Sequence, residues 1–406
     1  MRPLILILLF NLITSSAVAQ HVFGITENFK KIHIPFEYEN NMIIVDVMFN
    51  RVVPLKFIFD TGAENTILAR REITDMLNVR YRREYKLLGS DMKTELTAYL
   101  VRGIHFKVEN LVMPSHSMLV LADDYFRFEE MTGMEIHGIL GADVFRNLVV
   151  RINYEKREIT IKKRKNFKPP KGYMSLPIEV KRNKPYIKVP LRISSDSISD
   201  VKLLLDSGAT LSLLINMDTK PGLHLPPNTL KGNVGAGLGG FIEGYLGRVS
   251  SLQLGGYEMK EIITNFQDLS ESVDTSLLNG RNGILGNQIL SRFDVIIDYP
   301  KEVLYLKANK KFNKKFEFDK SGLIIIASGK KLREYTIHEV IPGTPAAEAG
   351  LQKGDKVTRI NGRPPGWTTL PTINHILRKK AGKKIKMTVK RNGKKIKVKF
   401  YLRELI

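Results

Sequence analysis

The sequence predicts a mostly β fold: two β-barrel lobes related by a pseudo-twofold axis, followed by a small α+β domain. Three observations carry that expectation. Short Val/Ile/Leu-rich runs with polar residues at alternate positions recur along the 406 residues, which is the period of half-buried strands. A unit spanning residues 30–163 recurs at 173–308. Beyond about residue 315 the repeat stops, and residues 318–406 alternate strand-like runs with two helical ones.

In chain order, "MRPLILILLFNLITSSAVAQ" comes first. Arg2, the apolar run Leu4–Phe10 and the small residues Ala17-Val18-Ala19 have the form of a cleavable signal peptide over residues 1–19. The apolar run is short for a membrane span, so an uncleaved anchor is the lesser alternative. The chain is therefore expected to be exported, either periplasmic or extracellular. It contains no cysteine, which excludes disulfides, thiol catalysis, cysteine metal sites and a lipoprotein anchor. Export argues against nucleic acid as the partner of its net charge of +23, and points instead to an anionic envelope surface or acidic polymer. The densest basic stretch, "KIKMTVKRNGKKIKVKF" at 384–400, alternates lysine with apolar residues around Asn392-Gly393. It reads as a hairpin with one solvated lysine face.

The first copy of the repeat contains "FIFDTGAENTIL", residues 57–68, in which Asp60 closes an aliphatic run. Desolvating an unpaired carboxylate is costly, so this is either a surface turn or a carboxylate held for a purpose. One copy leaves both open. Its twin, "LLLDSGATLSLL" at 203–214, places Asp206 at an offset of 146. The same offset relates "YLVR" to "YLGR" and Gly89 to Gly235. "GILG" recurs as Gly138 to Gly141 and Gly283 to Gly286, offset by 145, as does Tyr154 to Tyr299. Upstream, "IPFEYENNMIIVDV" pairs with "LPIEVKRNKPYIKV" at an offset of 142. A basic linker, "KKRKNFKPPKGY", separates the copies.

Two copies are too few for a solenoid, so two lobes facing each other is the natural architecture, with equivalent residues near the axis. Two apolar–Asp–Thr/Ser–Gly–Ala turns meeting there make a carboxylate dyad. Close carboxylates cannot both ionise cheaply, so they share a proton. Such a pair can deprotonate water and protonate a departing group in one site. Gly62 and Gly208 permit close backbone approach. Thr61 and Ser207 supply hydroxyls that can bond across the axis.

"DTGA" and "DSGA", each preceded by an aliphatic run and followed later by "GILG", resemble the pepsin-like and retropepsin-like aspartic proteases over most of residues 30–308. The resemblance implies the acid-protease fold, polypeptide substrates, and no metal or organic cofactor. It implies Asp60 and Asp206 as the catalytic pair and Thr61 and Ser207 as a cross-axis lock. Gly62, Ala63, Gly208 and Ala209 then support the two loops. One chain would hold a complete site, so a monomer is expected. Ala63 and Ala209 stand where pepsin-like enzymes usually carry Ser or Thr. Without that hydroxyl the dyad is less acidic, and a mildly acidic to near-neutral optimum is expected. The segments after Gly89 and Gly235 are flap candidates, and the sequence does not choose between them. Tyr99 and Tyr245 read as equivalent strand residues. A non-catalytic peptide-binding or scaffold protein of the same fold is the alternative.

Other signals carry less. "GAGLGG", residues 235–240, fits a dinucleotide pattern but is followed by a strand-like run with further glycines. The eight histidines show no metal-ligand spacing, and no G-x-S-x-G elbow occurs. His137 reads as a packing or surface residue.

The C-terminal stretch "PGTPAAEAGLQKGDKVTRING" resembles PDZ domains, with the likeness extending over residues 318–406. That family captures peptide C-termini by β-augmentation. The resemblance implies Gly322, Leu323, Ile324 and Ile325 as the carboxylate-binding loop, although Ile324 replaces the usual second glycine. A module that packs on the lobes and binds no peptide is the alternative. His375, on the later helix, reads as a surface residue.

Overall fold

The computed structural model describes residues 29–406 except 91, 126, 195–197, 238–239 and 270–277, so the expected signal peptide lies outside the described residues. Each lobe is one eight-stranded sheet, and the strand order is the same in both. In the N-lobe, Glu37–Glu39, Met42–Phe49, Val53–Phe59, Gly138–Leu140, Ile67–Leu68, Leu111–Leu121, Glu95–Val108 and Tyr81–Leu88 lie side by side in that order. The C-lobe repeats it term by term, from Glu179–Lys181, Lys184–Arg192, Ile198–Leu205 and Gly283–Leu285 to Leu213–Asn216, Tyr257–Gln267, Gly240–Leu254 and Thr229–Gly237. Each sheet also curls back on itself, through Met42–Phe49 against Glu95–Val108 and Lys184–Arg192 against Gly240–Leu254. These are barrel closures, and they match the expected lobes.

A six-stranded sheet joins the lobes, and its central strands are Leu148–Asn153 and Phe293–Asp298. Arg151 pairs with Ile296 there, its own equivalent at the offset of 145. The pseudo-twofold axis therefore passes through that pair. Two ion pairs reinforce the sheet. Arg151 donates to both carboxylate oxygens of Asp294, at 2.9 and 2.6 Å, and Arg164 Nε lies 2.8 Å from the fully buried Asp298.

Period-2 alternation sorts each strand between two environments. Phe57 and Phe59, like Leu203 and Leu205, enter one large core that spans both lobes. Ile58 and Leu204, between them, face the other way, toward the side on which Asp60 and Asp206 emerge. On either side of the "GAGLGG" segment, strands Thr229–Gly237 and Gly240–Leu254 pair antiparallel, with Gly237 opposite Gly240. No helix follows it, which excludes the dinucleotide fingerprint.

The C-terminal domain has its own core and a five-stranded sheet: Leu323–Ser328, Glu334–Val340, Lys356–Ile360, Lys384–Arg391 and Lys394–Tyr401. Helix Leu370–Leu377 buries Leu370, Ile373 and Leu377, one face of a 3.6-residue period. The last two strands turn through Asn392 and Gly393, both at positive φ, as the two-residue hairpin requires. Its outer face carries Lys386 opposite Lys399 and Lys390 opposite Lys395, all exposed.

Candidate active site

Asp60 and Asp206 each follow the last residue of a strand, Val53–Phe59 or Ile198–Leu205, and their backbone N–H groups donate to Leu140 and Leu285 carbonyls, both at 3.0 Å. Those acceptors belong to the two "GIL" strands, which run parallel to the Asp-bearing strands. The same segments then pass beneath the loops. Ala142 N–H donates to Ala63 O and Asn287 N–H to Ala209 O, both at 2.8 Å. This is why the motif and its distant "GILG" recur together: the second is the bed of the first.

Thr61 and Ser207 are fully buried and lock the lobes reciprocally. Thr61 N–H donates to Ser207 Oγ at 3.1 Å, and Ser207 N–H donates to Thr61 Oγ1 at 3.0 Å. Each hydroxyl then donates across the axis, Thr61 to Leu205 O at 2.7 Å and Ser207 to Phe59 O at 2.8 Å. All four bonds are buried, so breaking one strands a polar group.

The two aspartates are brought together and hydrogen-bond each other. Gly62 and Ala63 N–H groups donate to Asp60 Oδ1 at 2.6 and 3.1 Å, while Gly208 and Ala209 N–H groups donate to Asp206 Oδ1 at 2.9 and 2.8 Å. Burial, then the Asp206 charge and the hydrogen bond to Asp206, push the Asp60 carboxyl well above the ordinary carboxylate range, against the lowering by the two backbone N–H groups. Ala63 and Ala209 contribute only backbone N–H.

His137 has a structural task. Its Nδ1 accepts from Lys56 N–H at 3.1 Å, and its counterpart Asn282 accepts with Oδ1 from Lys202 N–H at 2.9 Å. Burial lowers the His137 pKa, consistent with a neutral ring used as an acceptor.

The two flap-candidate hairpins meet at Ser90 and Gly237. A Cβ on Gly237 would lie 2.6 Å from Ser90 Oγ, so both hairpins, not one, reach to the midline. Tyr99 packs within its hairpin, its ring 5.2 Å from that of Tyr81, and Tyr245 pairs with Phe266.

The C-terminal domain touches both lobes beside these hairpins. Asn233 of the C-lobe hairpin donates to Glu339. The N-lobe helix Phe128–Thr132 packs along edge strand Leu323–Ser328, and a Cβ on Gly133 would lie 3.0 Å from Leu370 Cβ. This bears on the expected peptide site. Leu323 and Ile325 point into the domain core. Gly322 N–H donates to Asp319 Oδ1 at 2.7 Å and Leu323 N–H to Ser321 Oγ at 3.2 Å. Two of the four loop residues thus spend their amides on internal partners, and the chain's own helix lies against the strand edge. An incoming peptide has to displace that helix.

Sequence reasoning missed a second group of residues beside the dyad. In the N-lobe, Met42, Ile44, Ile58 and Ile136 form an apolar cluster. Their C-lobe counterparts are Lys184, Tyr186, Leu204 and Arg281. The signal was present as three positions where the aligned copies differ in polarity, and only the fold shows that these positions adjoin.

Compared with known proteins, residues 45–144 and 189–289 match the aspartyl protease family, and residues 336–391 match the PDZ domain family. Two curated proteins named as zinc metalloproteases, from Brucella suis and Brucella melitensis, are each 37% identical over 68 residues, 17% of this chain and 17% of theirs. The chain thus spans about a sixth of the length of these relatives. Among solved structures, an aspartic proteinase from Irpex lacteus matches 70% of this chain and 99% of its own, with a TM-score of 0.43 and 15% identity.

Proposed function

We propose, from the match of residues 45–144 and 189–289 to the aspartyl protease family and of residues 336–391 to the PDZ domain family, that the chain is an aspartic endopeptidase acting through Asp60 and Asp206. The observation that carries the reading is the reciprocal Thr61–Ser207 lock, which holds two carboxyls against each other at the lobe boundary. A water between them loses a proton to one of the two carboxylates as it attacks the scissile carbonyl. The other carboxyl, protonated, polarises the carbonyl oxygen, and the pair then protonates the departing amine. The meeting hairpins exclude bulk water from the cleft. The PDZ domain serves as a docking point for polypeptide C-termini that compete with helix Phe128–Thr132. The "MRPLILILLF" leader supports export, and the lysine face of the last hairpin supports contact with an anionic surface.

The decisive assay is pepstatin-sensitive cleavage of an unstructured polypeptide between pH 3 and 8, lost in Asp60→Ala and Asp206→Ala. A protein that cleaves nothing, and whose two variants bind peptide as the parent does, is instead a peptide-binding scaffold.

A further inference from the structure

The two sides of the dyad differ in polarity although the fold makes them equivalent. Strand register shows it. Ile44 pairs with Ile58, and Tyr186 with Leu204. Continuing each register by two residues sets Met42 across from Asp60 and Lys184 across from Asp206. Side chains at these alternate positions share the face from which the aspartates project. At the N-lobe positions Met42, Ile44, Ile58 and Ile136 are buried together, packed against Phe128 and Met134. The C-lobe has Lys184, Tyr186 and Arg281 at the same positions, with Lys184 and Arg281 partly exposed.

The acid that both of these cations face is Asp206 of the dyad. Neither makes an ion pair among the described residues, and the buried Nε of Arg281 has no hydrogen-bond partner there. The neighbouring acid, Glu64, is engaged by Arg182 at 3.0 Å. Both cations interact electrostatically with Asp206, and burial lowers the pKa of each. Buried charges that form no ion pair are costly to keep. An anion arriving from the cleft removes that cost.

Building on the endopeptidase reading, we propose that Lys184 and Arg281, with the wall of Tyr186, form a subsite that selects a carboxylate side chain on one side of the scissile bond. The equivalent N-lobe positions are apolar and packed, so no anion is selected there. The preferred substrate therefore carries an acidic residue on one side of the cleaved bond only.

The test uses the full chain and peptides differing only in Glu, Gln or Leu at each position flanking the bond. At one position Glu should exceed Leu by roughly 10- to 100-fold in kcat/KM, the range of a charge-assisted hydrogen bond. Lys184→Met with Arg281→Ile installs the N-lobe residues and should reverse the Glu/Leu ratio. Because the ratio is taken within one variant, altered dyad protonation cancels. Statine peptides bearing Glu or Leu, titrated calorimetrically, read the same preference without turnover. Equal binding of both, or an acidic preference that survives the double substitution, overturns the subsite while leaving the protease reading intact. Absence of both cleavage and statine binding overturns both.

Discussion

Gly62 faces the carboxyl of the opposite lobe: a Cβ on Gly62 would lie 2.5 Å from Cγ of Asp206. Gly208 stands in the same relation to Asp60. Neither glycine has a positive φ, so glycine is required here for space. Gly62→Ala should therefore lower kcat at least about 100-fold by displacing a carboxyl. Steady-state kinetics and a thermal melt check this; full activity in Gly62→Ala would show that the carboxyls sit farther apart.

Ionisation of the dyad should appear in stability as well as in rate. The Asp60 carboxyl is raised in the fold, so its contribution is complete below the ordinary carboxylate range and is lost as pH rises through the raised value. Asp60→Asn should flatten that loss in melts from pH 4 to 8, while reducing kcat about 100- to 10,000-fold. The activity of the parent should be bell-shaped, with an optimum between mildly acidic and neutral. Ala63→Ser adds a donor to the ionised form and should move the profile acidward by about one pH unit, the equivalent of roughly 1.4 kcal/mol. A parent optimum near pH 2 contradicts this account.

Ser207→Ala removes a donor to Phe59 O and an acceptor from Thr61 N–H, both buried. Two stranded groups cost about 2–6 kcal/mol. Denaturant unfolding should show a loss in that range, and Ser207→Thr should recover most of it. A loss below about 1 kcal/mol would mean that water replaces the lock.

The Asn233–Glu339 bond ties the C-lobe hairpin to the PDZ domain. Glu339→Ala should speed amide hydrogen exchange in residues 229–237 and leave the N-lobe hairpin at 81–88 unchanged. Unaltered exchange in both would show that the Asn233–Glu339 bond does not hold the hairpin in place.

On the last hairpin, Lys386 and Lys390 stand directly opposite Lys399 and Lys395, and like charges so placed repel. Anionic vesicles should bind the full chain, neutral ones should not, and salt should weaken the binding. Lys386→Glu with Lys399→Glu should abolish it; retained binding in that variant would place the contact elsewhere.

Much of this was legible in residues alone. Asp60 and Asp206 could be identified because duplication wrote the same expensive feature twice, in register with "GILG", and strand alternation separated Phe57 and Phe59 from Ile58. Periodicity also resolved the terminal hairpin, since Asn392-Gly393 fixes its turn locally. Contacts between distant segments were a different matter. The meeting of Ser90 with Gly237, the helix Phe128–Thr132 against Leu323–Ser328, and the convergence of Lys184 with Arg281 all depend on how two sheets curl and face each other. Local propensity and spacing do not encode those distances. The sequence by itself determined the two lobes, the carboxyl pair and its hydroxyl lock, because repeated chemistry in repeated context needs no coordinates. Tertiary structure alone decided that both hairpins reach the midline, that the PDZ edge is covered, and that one side of the dyad is cationic, because each follows from packing across the lobe boundaries.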